Sequence, residues 1–598
     1  MRIIVTNENM QEVLTDLCSL TTEAIALDTE TKGLKYTDQL FSLILAVNGG
    51  NSYYFNFNNY GDGSPVLKYS ELSKLNKLFL NPNILWIMAN AKFDMHKLSL
   101  EDIHINGRVW DVLLMARIQY NRHMSYSLDA CLKRIGKSKN DQVSLYIKDH
   151  KLYTMEEVIG KKTKEKNLHY DKVPFDLIVP YGFDDAEDTL SLFEYQWEYF
   201  NRPENMEQLA LVDSNLQLTK TVFEMEKRGI CVDVDFCMSM TKELEAKIAQ
   251  YESEIEEIAG EPYKGGPKWL TKVLEQQGIY VAMSDKGNAE LGHDTLSKID
   301  NAVAALVLLL REAEKQLTFY NNLIRFQVGG VIHTNFRING TDTMRFSSGD
   351  PNLQNIPACE KGVMNTVRHA FRPREDYFLL SVDYSSMEFR LCVDIAGEHS
   401  MIQAINNGLD PHQQVADMMG ADRKAAKTLN FLSLYGGGAQ RLADQLGCDL
   451  NRAKVLKTQY HSALPAVNRL HQDVQAVARS RGYIRNKYGM RYFLEDDSKA
   501  YAMVNHLIQG TGACIIRAAM NKLAFFLEQT RSAMLLQCHD ELIFEIHQEE
   551  LHLIPEIIRI METEYTPING MPMACDGAIS KLSWNENTFT NWREHEAT

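Results

Sequence analysis

The chain has 598 residues, 45% of them hydrophobic and 24% charged, with ten cysteines and a formal net charge of -16; that length exceeds what one hydrophobic core usually holds, so two or more domains are expected. The N-terminal MRIIVTNENM has no apolar signal region, and the longest apolar run, AVAALVLLL at 302–310, is too short to span a bilayer, so a cytosolic protein is expected. The cysteines form no CxxC pair, which argues against a zinc cluster or disulfide framework, while the acidic balance does not exclude a polyanionic partner, because carboxylates gathered for metal ions count toward it.

In chain order, EAIALDTE, FSLILAV, SYYFNF and ILWIMAN read as strands, and KFDMHKLSL reads as a helix, giving an α/β domain over 1–198. IALDTET sets Asp28 and Glu30 two residues apart, so their side chains share one face of a strand. ANAKFDMHKL places Asp94 at a strand-to-helix junction, where a helix cap is the plain explanation. YGFDDAEDTLSLF sets Tyr181 one helical turn before Asp185 on the same face, and Asp184, Glu187 and Asp188 read as solvated helix charges. An isolated Asp-x-Glu is more often a solvated strand end. Four acids and a tyrosine, each tied to a strand end or a helix turn, could instead bind two metal ions and orient a water for phosphodiester hydrolysis.

EYFNRPENM, ending at Met206, joins Pro and Asn to polar residues after a helical stretch and marks a domain boundary. A helical region follows over 205–330, its first helix stopping at Gly229 and further helices expected over 267–278 and 301–325. From 331 onward helices and strands mix, with DYFLLSVDY and AMLLQC the clearest buried strands.

FLLSVDYSSMEFRL puts Asp383 at the end of an apolar strand, where an acid is costly unless solvated, paired or bound to metal. Taken alone it would be a helix cap or a turn residue. LLQCHDELIFE sets two strand-like runs around His539, Asp540 and Glu541, a hairpin tip that is acidic where Gly or Asn would be usual. Between these two segments, DRKAAKTLNFLSLYGGG repeats Arg423, Lys427, Phe431 and Tyr435 at every fourth position, a stripe about 18 Å long on one helix face. Two cations followed by two aromatics suit a triphosphate at one end and a sugar and base at the other. The plainer alternative is an amphipathic helix with solvated cations and core aromatics. Asp383 and Asp540 together could hold two metal ions about 3.5 to 4 Å apart, one activating an attacking 3′ oxygen and one stabilising leaving pyrophosphate.

At this point the chain resembles the family A (Pol I-like) DNA polymerases. VDYSSMEFR resembles the family's motif A, RKAAKTLNFLSLYG motif B and QCHDELIFE motif C; MEKRGICVD, TDTMRFSSGDPNLQNIP and NHLIQGTGACIIRAAM are similar too, all in family order. The resemblance implies a right-hand polymerase with the thumb at 205–330, the palm at 331–400 and 500–598, and the fingers at 401–499. It implies Asp383 and Asp540 as metal ligands with Glu541 close by, Arg423 and Lys427 gripping the triphosphate, and Phe431 and Tyr435 lining the nucleotide pocket. Glu388 would crowd the sugar 2′ position, Arg345 and Gln509 would touch the minor groove near the primer end, and Asn505 and His539 would contact substrate. Leu432 departs from the small Gly of many members, which bears on the pocket wall. The N-terminal segments resemble the three motifs of the DnaQ-like, RNase H-fold proofreading exonucleases, implying Asp28, Glu30, Asp94 and Asp185 as metal ligands with Tyr181 beside them.

The expected protein is thus multidomain, α/β and α+β: a compact phage-type DNA polymerase with 3′-5′ proofreading. It would use two Mg²⁺ per site, with Mn²⁺ able to substitute, and act on primer-template DNA and dNTPs as a monomer in the host cytoplasm. Helicase-primase and single-strand binding protein are possible partners. Asp28 lies so near the start that no 5′ nuclease precedes it and nick translation is not expected, and the thumb lacks room for a large insertion that binds a processivity protein. A single-subunit RNA polymerase would lack Glu388 and the exonuclease motifs, and a catalytically dead DNA clamp would lack the acids and Lys427.

Overall fold

A computed structural model describes residues 1–158, 163–283, 287–357, 367–434 and 437–595. The N-terminal part is built on a six-stranded sheet. In chain order its strands are β1 (Arg2–Ile4), β2 (Ala24–Thr31), β3 (Leu40–Val47), β4 (Ser52–Asn56), β5 (Leu85–Met88) and β6 (Arg108–Asp111), and across the sheet they run β1-β4-β3-β2-β5-β6. The β2–β3–β4 meander is antiparallel, whereas β5 and β6 join in parallel through the helix α1 (Ala91–Ser99). LFSLILAV of β3 is a nearly continuous apolar run because helices cover both faces of the sheet. One of these is the long helix α3 (Phe175–Phe200), which packs on β2, β3 and β4 and follows α2 (Val112–Gln119). Asp184, Glu187 and Asp188 on α3 are not merely solvated: Asp184 and Glu187 pair with Arg2 at 2.6 and 2.7 Å, and Asp188 lies 3.3 Å from Lys137. Arg2 of β1 and Lys137 are long-range neighbours that helix periodicity does not reveal.

α4 (Leu209–Arg228) begins the second part and stops at Gly229, whose φ of 58° and close contact with the Ile332 carbonyl admit no side chain. α5 (Val234–Ala259) and α6 (Ala302–Phe326) pair as a long helical hairpin. Its far end carries two shorter helices, Gly266–Gln276 and His293–Leu296, around a separate small core containing Trp269, Leu274 and Leu310.

The second sheet is antiparallel and five-stranded. Its central strand β7 (Tyr377–Tyr384) lies between β9 (Glu541–His547) and β10 (Cys575–Ser580), with β8 (Ala533–Cys538) and β11 (Thr590–Asn591) at the edges. After β7 the chain turns into α7 (Met387–Ala396), crosses a helical subdomain that includes α8 (Arg423–Leu434) and α9 (Ala439–Leu446), and returns through the largely buried α10 (Met503–Leu527). One hydrophobic core runs continuously from Ala26 in the first sheet to Trp592 beside the second. Among the described residues no helix is long and apolar enough to cross a membrane.

Candidate active sites

The first site forms where β2, α1 and α3 converge. Asp28 and Glu30 project from the same face of β2, and Asp185 reaches them from α3, so one carboxylate oxygen of each lies within 4.8 Å of the others. Asp94 stands beside this trio rather than within it: its Oδ1 accepts from Thr29 N at 3.1 Å and Thr29 Oγ1 at 2.6 Å, which fixes α1 against β2. Burial pushes all four carboxyls up, Glu30 to about 8 and Asp94 to about 7; repulsion from the other acids of the cluster adds to it at Asp28 and Glu30, from Asp111 at Asp94 and from Asp188 at Asp185. Tyr181, buried one turn before Asp185, favours the ionised form of that carboxyl and so offsets part of the rise caused by burial.

The sequence reading missed Lys139. Its Nζ sits 2.7 Å from Asp185 Oδ2 and 5.0 Å from the centroid of the Tyr181 ring, and its charge also lowers Asp28 and Glu30. It lies between two short helices, 128–134 and 142–149, with no motif around it, so no local pattern could have marked it. The other oxygen of Asp185, Oδ1, is buried without a hydrogen-bond partner. Three converging carboxylates, one of them with an orphaned oxygen, are a donor set for hard divalent cations, which take oxygen ligands.

The second site is at the end of the five-stranded sheet. Asp383 occupies the penultimate position of β7, directly opposite Glu541 on one side and Asp576 on the other. Asp540 joins them through a two-residue hairpin turn between β8 and β9, in which the exposed His539 takes a left-handed φ of 58°. The Tyr384 amide donates to the Asp540 carbonyl at 3.3 Å, which pins the hairpin tip to the end of β7. Asp383 keeps solvent-accessible surface, yet desolvation by the surrounding strands and then the fields of Asp540, Glu541 and Asp576 push its carboxyl up to about 7. Burial raises Asp540 and Glu541 as well; Glu541 Oε1 accepts from Ser381 Oγ at 2.5 Å. Asp576, whose Oδ2 accepts from Ser385 Oγ at 2.5 Å, was not anticipated, because only the strand register brings it next to Asp383.

The cationic face of α8 looks outward. Arg423, Lys427 and Phe431 are exposed while Ala426, Leu429 and Asn430 are buried, and at 44% exposure Phe431 is not a core aromatic. Tyr435 lies outside the described residues. Arg423 pairs with Asp410 at 2.9 Å, and a cavity of about 360 Å³ opens between α8 and α9, lined by Lys427, Thr428, Phe431, Leu432, Arg441 and Gln445. Leu432 is itself 5% exposed, so it contributes to the base of this cavity from the packed side of the helix. Glu388, in the first turn of α7, is ion-paired with Arg345 Nη2 at 2.5 Å. On α10, Gln509 is buried and Asn505 is half-buried with an Oδ1 that has no hydrogen-bond partner.

A family model described as DNA polymerase family A matches residues 234–586, and one described as 3′-5′ exonuclease matches residues 1–198. DNA polymerase I of Pseudomonas aeruginosa is 27% identical over 94% of this chain and 64% of its own length, and that of Bacillus subtilis is 30% identical over 80% of this chain and 55% of its own. The chain thus spans only about half to two thirds of the length of these relatives. DNA polymerase DpoZ of Salmonella phage PMBT28 is 28% identical over 86% of this chain and 89% of its own length. Among solved structures, the POL domain of Pol1 from M. smegmatis, in complex with DNA primer-template and dNTP, superposes with a TM-score of 0.80 at 23% identity. It covers 98% of this chain and 99% of that one, a likeness of fold.

Proposed function

The chain belongs to DNA polymerase family A, and from that membership we propose that it is a template-directed DNA polymerase that extends a primer 3′ end with dNTPs and proofreads through a 3′-5′ exonuclease. The observation that carries the reading is the position of Asp383 at the end of β7 next to Asp540 on the adjoining hairpin turn, in a fold that also holds out the exposed Arg423–Lys427–Phe431 face. A second, independent acidic trio at Asp28, Glu30 and Asp185 supports the hydrolytic half.

In the polymerase site, Asp383 and Asp540 would hold two Mg²⁺ ions, for which Mn²⁺ can substitute. When bound, such ions lower the pKa of an attacking oxygen and stabilise charge on the leaving pyrophosphate. The protein's own side chains do the rest. Lys427 and Arg423 neutralise the triphosphate, and Arg423 must exchange its exposed partner Asp410 for a phosphate, a low-cost exchange at the surface. The ring of Phe431 packs on the sugar, and Glu388 crowds the 2′ position; the family resemblance gives Tyr435 to the same nucleotide pocket. Arg345 and Gln509 donate to the N3 and O2 acceptors that every correct pair presents in the minor groove, so they test pair geometry without reading sequence. His539 and Asn505 approach the primer strand.

In the exonuclease site, Asp28, Glu30, Asp94 and Asp185 would hold the cations, and Tyr181 would orient the attacking water. Domain limits follow the same reading: exonuclease at 1–198, thumb at 205–330, palm at 331–400 and 500–598, fingers at 401–499. The match with the phage relative supports a compact phage-type enzyme; we further propose that it acts in the host cytoplasm as a monomer, with helicase-primase and single-strand binding protein as candidate partners.

The test is extension of a labelled primer on a template with dNTPs or rNTPs, alongside digestion of a 3′-labelled single strand. Template-dependent dNTP incorporation and 3′-end digestion are expected; ribonucleotide preference, or no incorporation at all, would overturn the reading.

A further inference from the structure

Arg122 of the exonuclease domain, just beyond α2, bonds to three separate segments of the polymerase domain. Its Nη1 lies 2.7 Å from Asp342 Oδ2, its Nε donates to the Phe493 carbonyl at 3.1 Å, and its Nη2 is 3.0 Å from His506 Nε2. A guanidinium has only donors, so His506 Nε2 must accept, and its Nδ1 carries the proton donated to the Ala502 carbonyl at 3.0 Å. Neighbours on the same stretch repeat the pattern. Arg117 reaches Asp342 Oδ1 at 3.3 Å, and Asn121 both donates to the Asp342 carbonyl at 2.9 Å and accepts from Phe493 N at 3.1 Å.

What these bonds hold is telling. Asp342 is three residues before Arg345, and His506 is one helical turn before Gln509 on α10. Both segments that carry proposed minor-groove donors are therefore tied to a single arginine of the other domain. The stretch from Asp342 to Arg345 has no helix or strand to fix it; Met344 sits at a left-handed φ of 65°, and its carbonyl is held by the buried Arg517. Arg122 itself is poorly suited to gripping a DNA strand, because all three of its nitrogens are already committed and its side chain is only 15% exposed.

We propose that Arg122 is a positioning residue for the polymerase reaction: the exonuclease domain, through Arg122 and Asp342, sets where Arg345 and Gln509 stand against the primer terminus, and so sets how strongly a correct end is preferred over a mispaired one. The inference rests on the minor-groove reading of Arg345. A hydrogen bond to a base edge rewards only a pair of correct shape, so a misplaced donor slows extension of correct ends while leaving mispaired ends, which never received the bond, nearly as they were.

The experiment uses the full chain with Asp28→Ala and Glu30→Ala to silence digestion. It measures kcat and KM for adding the next dNTP to matched and mispaired primers in Arg122→Ala, Asp342→Asn, Arg345→Ala and the Arg122→Ala/Arg345→Ala pair. The expected result for Arg122→Ala is a fall of about 5- to 20-fold in the match-to-mispair ratio. It should lie in the matched kcat/KM, Asp342→Asn should change the ratio in the same direction, and the double variant should do no worse than Arg345→Ala alone. Asp342→Asn alters an exposed side chain and supplies the answer if Arg122→Ala fails to fold. An unchanged ratio with both rates lowered in parallel and a lower Tm would make Arg122 a structural strut and overturn the proposal, as would strict additivity with Arg345→Ala. Should Arg345→Ala itself leave the ratio unchanged, the minor-groove reading falls first and takes the inference with it.

Discussion

The two acidic sites confront the same difficulty, the mutual repulsion of neighbouring carboxylates, in different surroundings. In the exonuclease domain Glu30, Asp94 and Asp185 are buried and Asp28 nearly so, and a lysine, Lys139, stands among them as an internal counter-charge. At the second site Asp383 meets water at the open end of a sheet, Glu541 and Asp576 accept hydrogen bonds from serine hydroxyls, and Arg345 and Arg368 act on Asp540 and Glu541 through their field. Like charges repel more strongly where the surroundings are less polarisable, so the closed cluster needs a cation or bound protons while the open one can lean on solvent. Burial thus decides how tightly each site is linked to metal and to pH.

Removing acids from one site while reading both activities should give the largest effect. Asp383→Ala should reduce primer extension by on the order of 10³-fold or more while digestion of single strands from the 3′ end continues. Asp28→Ala with Glu30→Ala should do the reverse and raise mutation frequency without stopping synthesis. Loss of both activities in either variant, with the fold intact by circular dichroism, would show that the two sites are one system.

How much of this was legible in the sequence depended on whether a local pattern carried it. Strand β7, the hairpin β8–β9 and the stop of α4 at Gly229 follow from alternation, turn residues and a C-terminal glycine, and all three are present where those signals fall. The outward face of α8 was legible as a stripe, but its exposure was not: only the packing of Ala426, Leu429 and Asn430 decides that Phe431 faces solvent. Lys139, Asp576 and Arg122 were invisible because each owes its place to a contact across the chain, an unpatterned connecting segment, a strand register and a domain interface respectively. Short-range periodicity has no access to such contacts.

A smaller effect is expected at Phe431, in the polymerase half of the chain. Phe has no hydroxyl, so when a dideoxynucleotide enters, nothing from the protein replaces the hydrogen bond of its missing 3′-OH. Phe431→Tyr supplies a donor at that place, and a hydrogen bond to a charged group is worth about 1.5 to 3 kcal/mol, or roughly tenfold to a hundredfold in dideoxy-to-deoxy selectivity. Because the ring is 44% exposed, the new hydroxyl is not buried and Tm should stay the same. Comparing incorporation of the two nucleotide types in an exonuclease-deficient background decides it; an unchanged ratio would remove Phe431 from the nucleotide pocket.

The smallest effect tests burial itself. Glu30 holds its proton up to about pH 8 in the folded chain, whereas an unfolded glutamate releases it near pH 4.3. Between those values the native state binds more protons at this group than the unfolded one, so the stability that Glu30 contributes is fully present below about pH 4.3 and is lost as pH rises toward 8. In chelator, Tm of the wild type should therefore fall from pH 5.5 to 8, and Glu30→Gln, which cannot titrate, should fall less steeply, by at most about 1.4 kcal/mol per pH unit. Asp383→Asn should flatten the curve less, because its parent carboxyl rises only to about 7 and keeps water contact that screens its neighbours. Added Mg²⁺ should raise Tm more at pH 8 than at pH 6, since a cation is favoured once the acids have lost their protons, and Glu30→Gln should blunt that gain. Parallel melting curves for wild type and Glu30→Gln in chelator would mean that the exonuclease acids are as open to solvent as those of the palm, and the contrast between the two sites would disappear.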